Sequence, residues 1–249
     1  MFEDIPRRHA QFQAQALWTK SIRAYLFNQC GLSPEQQYLE VGCGTGVILK
    51  EWEHVSSTVT GIDIDFPSLR YASTHADCPL SAANVLELPF TKSSFDCIFS
   101  HFFFLWVKNP LQALEEIKRC LKPGGWILIF AEPDYDGRID YPEELSIIRQ
   151  LQIKSLQNIG ADPIIGRKMG SYLNQTGFTN ISGGIIGSEW HEPQSIDEIQ
   201  SVDIQNIIYD ISIGVDGIDP NNLLQVDQQA RHDGSRITFV PTFFYSAQK

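Results

Sequence analysis

"YLEVGCGTG", residues 38–46, sets glycines at positions 42, 44 and 46 directly behind a short apolar run. Glycine loses more backbone freedom on folding than any other residue, so three in five positions mark a turn with a special demand. Two known glycine signatures fail to fit it. A phosphate-binding P-loop needs GxxxxGK[ST], and the Lys is missing. A dinucleotide fingerprint needs GxGxxG, whose third glycine would fall where Val47 stands. The GxGxG that remains suits any tight strand-to-helix turn, so its meaning depends on the rest of the chain.

Working outward, strands and helices alternate. "QYLEVG" (37–42) reads as a buried strand and 45–55 as the helix after the glycines. Strands follow at 58–65, 80–85, 94–104 and 126–133, with helices at 66–76 and 110–125 between them. Such alternation implies a mostly parallel sheet covered by helices on both faces, an α/β fold. Upstream, residues 10–29 lack Gly and Pro and set Leu17, Ile22, Tyr25 and Leu26 at helical spacing, with Gly31 as the stop. Beyond Pro133, helices are expected at 141–160, 167–178 and 195–214, with strands at 179–190 and 237–249. One domain over 1–249 is expected: a helical lid at 1–33, a core at 34–135, and an insertion or cap at about 190–236 before the terminal strand.

The 249 residues are 43% apolar and carry a net charge of -11. An acidic surface repels phosphate backbones, which argues against nucleic acid as a partner. No apolar run is long enough for a membrane span, and "MFEDIPRRHAQFQAQ" lacks the apolar stretch of a secretory signal. Five scattered cysteines without CxxC spacing read as reduced thiols in a cytoplasmic protein. The histidines are dispersed, and "HEPQS" at His191 lacks the second His of HExxH, so no metal is expected.

The glycines do not stand alone. Glu40 precedes Gly42 by two residues, and Asp63 closes the next strand in "GIDID" (61–65). An acid at the end of a second strand can accept both hydroxyls of a ribose. Then come "AANVLELPF" (82–90), "FDCIFS" (95–100) and "LKPGGWILI" (121–129) in fixed order. This set resembles the class I S-adenosylmethionine-dependent methyltransferases, closest to the small-molecule, type 11-like branch. "YLEVGCGTG" is similar to the family's first motif, and the likeness covers about residues 36–133, with an echo in the terminal "FFYSAQK". The resemblance implies a Rossmann-like, doubly wound sheet with an antiparallel C-terminal strand. It implies S-adenosyl-L-methionine as cofactor, S-adenosyl-L-homocysteine as product, and no metal.

Residue by residue, the resemblance sets Gly42, Cys43, Gly44, Thr45 and Gly46 under the cofactor's amino-acid tail, where a Cβ would collide. Glu40 would face its ammonium group, Asp63 its ribose, and Ile64, Asn84 and Val85 its adenine, with Ser100 nearby. The family's third-strand position is usually Asp; Asn84 still accepts a hydrogen bond there, without charge. Glu40 could equally steady the turn, and Asn84 could be a turn residue. Methyl transfer is an in-line displacement that demands positioning and exclusion of water. His101, after the fourth strand in "FSHFFFLW" (99–106), is the candidate proton acceptor, or else a histidine bonded to a neighbouring loop. Trp18, Tyr135, Arg138 and Tyr141 are the candidate acceptor contacts, although Arg138 could instead pair with Asp136 or Asp140. The expected function is methyl transfer to a small molecule by a monomer or homodimer. The alternatives are a protein or RNA methyltransferase, or a protein that binds the cofactor without turnover.

Overall fold

Alternation along the strands decides how the sheet is covered. The computed structural model describes residues 4–56, 58–186 and 219–249. Along β1 (Tyr38–Val41), β4 (Phe95–Ser100) and β5 (Leu121–Pro133), side chains alternate between two buried clusters. Leu39, Val41, Ile98, Ile127 and Ile129 join Leu114 and Ile117 of α5 (Pro110–Cys120) and Met169 and Leu173 of α7 (Ile165–Gln175). Tyr38, Cys97, Phe99, Leu128 and Phe130 face the other way. They meet Leu49 and Trp52 of α3 (Val47–Trp52), Leu69 of α4 (Phe66–Ala72), Ala16 of α1 (Ile5–Trp18) and Leu26 of α2 (Lys20–Gln29). The period of two in a strand thus fills both sides of one sheet.

With β2 (Val59–Asp63), β3 (Leu80–Ala82), β7 (Thr179–Ile186) and β9 (Thr242–Gln248), the sheet has seven strands in the order β3-β2-β1-β4-β5-β9-β7. The first five pair in parallel, and β9 runs antiparallel between β5 and β7. The doubly wound α/β fold and its antiparallel C-terminal strand are both present. Strand order reverses between β1 and β4, and the crevice beyond their carboxyl ends is where such sheets take ligands. A small second sheet pairs β6 (Ile139–Tyr141) with β8 (Ile237–Phe239), beside α6 (Ile147–Asn158) and α8 (Pro220–His232).

Several boundaries differ from expectation. The helix expected over 10–29 is two helices that meet at Thr19, whose hydroxyl bonds back to Gln15 O at 2.8 Å. The helix expected over 110–125 stops at Cys120, because Pro123 cannot continue it and Leu121 already pairs with Phe95. The strand expected over 94–104 stops at Ser100. Phe102 then turns into the left-handed region (φ 49°) and a short 3-10 helix, Phe104–Trp106, follows. The helix expected from 141 begins at Ile147. His191, the helix expected over 195–214 and the end of the strand expected over 179–190 lie outside the described residues. Among the described residues, no helix is long and apolar enough to cross a membrane. All five cysteines are free.

Candidate functional site

The glycine turn is built from backbone outward. Gly42, Gly44 and Gly46 have φ of 73°, 53° and 81°, a region L side chains rarely adopt. The N–H groups of Gly42 and Cys43 both donate to Ile62 O, at 2.9 and 3.0 Å, which ties the turn to β2. The close approaches come from the protein itself. A β-carbon on Gly42 would stand 2.0 Å from Phe103 Cδ2, one on Gly44 3.0 Å from Phe12 Cε2, and one on Gly46 3.0 Å from Ala72 Cβ. The turn thus needs its glycines for the protein's own packing, whatever else lies across it. Left-handed backbone and the rings of Phe12 and Phe103 already exclude a side chain.

Around the turn stand the two acids. Asp63 ends β2; its Oδ2 accepts from Gly44 N at 2.7 Å and its Oδ1 from Asp65 N at 2.8 Å. Each oxygen keeps a lone pair. Burial pushes the Asp63 carboxyl above its ordinary range. Glu40, on β1, is 2% exposed, and its Oε2 has no hydrogen-bond partner. Burial drives its pKa well up, opposed by the charge of Arg23. Ser100, at the carboxyl end of β4 beside β1, is buried with an unpartnered Oγ. Unsatisfied buried polar atoms are uncommon and call for an explanation. Here a carboxylate oxygen and a hydroxyl flank the switch point, which suits a ligand bearing N–H donors.

The N-terminal helices close over this crevice along one stripe: His9, Phe12, Ala16, Thr19 and Arg23, spaced three and four apart. His9 Nδ1 lies 2.9 Å from Thr45 Oγ1. Arg8 reaches Asp65 at 3.2 Å and Ser68 at 3.1 Å. Arg23, 2% exposed, donates to Thr19 Oγ1 at 2.6 Å and Ala16 O at 2.7 Å, and pairs with Glu51 through both ends of its guanidinium. Hydropathy reading missed this stripe, since most of its members are polar; the spacing itself was the available signal.

At the end of β4, His101 Nε2 meets Thr19 Oγ1 at 2.9 Å, and the Phe102 ring lies between His101 and Trp18, with centroids 4.8 and 5.7 Å away. Burial, reinforced by Arg23, lowers the His101 pKa to about 3, so the imidazole is neutral at ordinary pH. Below it, the fully buried carboxylate of Glu132 accepts from Phe103 N (2.9 Å), Phe104 N (2.7 Å) and Leu105 N (3.2 Å). Burial raises its pKa to about 8 despite these donors.

The remaining expected site residues divide. Val85 is buried, Ile64 is 73% exposed, and Asn84 Oδ1 accepts from Leu86 N at 3.0 Å, a turn bond that leaves it one lone pair. Tyr135 opens the turn after β5 and packs against the core. Tyr141 lies on β6, 52% exposed. Arg138 takes the pairing with Asp140 that the sequence offered as its alternative. Its guanidinium grips Asp140 at 2.6 and 2.9 Å and also reaches Gln152 and Thr238, within a buried network where Arg236 bridges Asp140 and Asp227. Among the described residues, no group of three or more His, Cys, Asp or Glu could hold a metal ion.

Residues 39–129 match the model of a family described as a methyltransferase domain. This segment is a methyltransferase domain. The strand order of the whole sheet and the motifs of this segment are those of the class I S-adenosylmethionine-dependent methyltransferases that the sequence resembles. The malonyl-[acyl-carrier protein] O-methyltransferase of Pseudescherichia vulneris is 31% identical over 118 residues, 47% of this chain and 45% of that protein. The demethylmenaquinone methyltransferase of Corynebacterium urealyticum is 30% identical over 136 residues, 54% and 57% of the two chains. The chain thus spans about half the length of these curated relatives. A solved N-methyltransferase of Haemonchus contortus, in complex with phosphomonomethylethanolamine and S-adenosylhomocysteine, shares the fold: TM-score 0.58 at 17% identity, covering 92% of this chain and 52% of that one. Within this methyltransferase domain, Glu40, the glycine turn, Asp63 and Ser100 all stand at the carboxyl ends of β1, β2 and β4.

Proposed function

We propose that this chain transfers a methyl group from S-adenosylmethionine to a small-molecule acceptor. The observation that carries the reading is the unpartnered, buried Oε2 of Glu40 two residues before the glycine turn, with the Asp63 carboxylate tied to that turn from β2. Together they match an ammonium group and a pair of ribose hydroxyls. Val85, Ile64 and the free lone pair of Asn84 serve the adenine, and Ser100 the cofactor's tail. When bound, the cofactor supplies a methyl carbon activated by a sulfonium, and transfer breaks that carbon–sulfur bond.

The chain's own task is to position and to exclude water. Phe12, Phe103 and the stripe on α1 and α2 cover the crevice, acting as the lid of a single domain. Trp18 and Tyr135 face the acceptor, with Tyr141 at its edge. His101, neutral at working pH, accepts a hydrogen bond from the acceptor and so orients its attacking atom behind the methyl group. The relatives and the structural neighbour are named for different molecules, malonyl-[acyl-carrier protein], demethylmenaquinone and phosphomonomethylethanolamine, which supports the small-molecule class without choosing among its members.

The test uses S-adenosylmethionine labelled in its methyl group, incubated with the protein and a fractionated cell extract. Label entering the low-molecular-weight fraction is expected. Label confined to protein or RNA overturns the small-molecule reading, and no label in any fraction favours a binder without turnover.

A further inference from the structure

The junction between α1 and α2 makes a specific demand on His101. Thr19 Oγ1 has four neighbours within hydrogen-bonding reach: Gln15 O at 2.8 Å, Ala16 O at 3.3 Å, Arg23 Nη1 at 2.6 Å and His101 Nε2 at 2.9 Å. A hydroxyl has one hydrogen and two lone pairs. The guanidinium can only donate, so it takes one lone pair. The two carbonyls can only accept, so they claim the hydrogen, and Gln15 O is the nearer. What remains is a single lone pair, and it is matched only by an N–H at His101 Nε2.

We infer that Thr19 and Arg23 are positioning residues that hold His101 as its Nε2–H tautomer and leave the Nδ1 lone pair for the methyl acceptor. The assignment rests on the proposed methyl transfer only for what Nδ1 does; the tautomer itself follows from the hydroxyl's valences. The step balances without an imidazolium: Nδ1 accepts a hydrogen bond that orients the acceptor, the acceptor's heteroatom bonds the methyl carbon as the carbon–sulfur bond breaks, and the acceptor's proton leaves to solvent with the products. Nδ1 has no hydrogen-bond partner among the described residues. Arg23 contributes twice, through the bond to Thr19 and through its charge, which disfavours imidazolium. Glu51, paired with Arg23, is the carboxylate that moderates that charge. The charge of Arg23 also acts on Glu40, whose carboxyl it draws back toward its ordinary range.

The experiment is long-range proton–nitrogen NMR on protein labelled at histidine nitrogen, with His101 assigned by its loss in His101→Gln. The expected spectrum shows a protonated, pyrrole-type Nε2 and a bare, pyridine-type Nδ1, unchanged from pH 8 down to pH 5. Thr19→Val should give mixed tautomers at His101, and Thr19→Ser should restore the wild-type pattern. Arg23→Gln, which keeps a donor but removes the charge, should raise the titration midpoint by about one unit or more. A bare Nε2 in the wild type overturns the assignment, as does a Thr19→Val spectrum identical to wild type. A parallel titration with S-adenosylhomocysteine separates this from failure of the functional reading: lost cofactor binding in the wild type would sink that reading and leave the tautomer standing.

Discussion

The ring of Phe103 lies against the α-carbon of Gly42, so that the last residues before the glycine turn and the first after β4 are packed as one surface. A β-carbon at position 42 would stand 2.0 Å from Phe103 Cδ2, and φ there is 73°. Gly42→Ala therefore meets both a backbone penalty of about 1–2 kcal/mol and a clash. Urea unfolding should show a loss of at least that size. Gly44→Ala, where the nearest atom is 3.0 Å away at the edge of Phe12, should lose less.

Glu132 gives the fold a pH dependence with a definite sign. Its pKa is about 8 when folded and near 4.5 in an ordinary environment, so the folded state holds a proton that the unfolded chain releases. Stability is fully present below pH 4.5 and declines as pH rises to 8, by about 4–5 kcal/mol as an upper figure. His101 works oppositely, through a depressed pKa, but only below pH 6.5. Unfolding measured between pH 6.5 and 8 should show the decline, and Glu132→Gln should flatten it. An equal slope in both proteins would rule out Glu132 as its source.

Arg138 separates a structural role from a ligand role. Its side chain is 2% exposed and that of Asp140 is 0% exposed. Removing one partner of a buried ion pair strands the other and typically destabilises by 3–5 kcal/mol. Arg138→Ala should lose about 3 kcal/mol in urea unfolding while S-adenosylhomocysteine affinity stays as it was. A variant of normal stability with weakened acceptor binding would restore Arg138 to the acceptor site.

The central sheet was legible from the sequence because its signals are local. Period-two alternation buries Leu39 and Val41 on one side and Tyr38 on the other, and glycines with left-handed backbones announce the turn. The N-terminal helices were legible only as helices. Apolar spacing pointed to Leu17, Ile22, Tyr25 and Leu26; Leu26 is buried and Ile22 packs on the core, but Leu17 and Tyr25 are 60% and 51% exposed, whereas Arg23 and Thr19 are buried. A buried polar side chain is stabilised by partners far away in the chain, here Glu51 and His101, and hydropathy carries no trace of them. The same holds for Arg138. Its choice of Asp140 over Asp136 depends on the register of β6 with β8, which sets Asp140 opposite Thr238 and within reach of Arg236.

The N-terminal stripe predicts that cofactor binding and helix docking are linked. Arg8 pairs with Asp65, two residues beyond Asp63, and His9 with Thr45 inside the glycine turn. S-adenosylhomocysteine should slow amide hydrogen exchange across residues 5–18 more than in α8. Equal protection of both helices, or none, would dissociate the stripe from the cofactor crevice.

The most direct measurement is a calorimetric titration of the protein with S-adenosylhomocysteine, repeated with Asp63→Ala. Asp63 accepts from Gly44 and keeps a lone pair on each oxygen, so the ribose should hold by hydrogen bonds to a charged group, worth about 2–3 kcal/mol. Micromolar binding to the wild type, weakened roughly 30- to 150-fold in the variant, is the expected result. Well-folded protein that takes up no S-adenosylhomocysteine, or binds it equally with and without the Asp63 carboxylate, would contradict the assignment of this crevice.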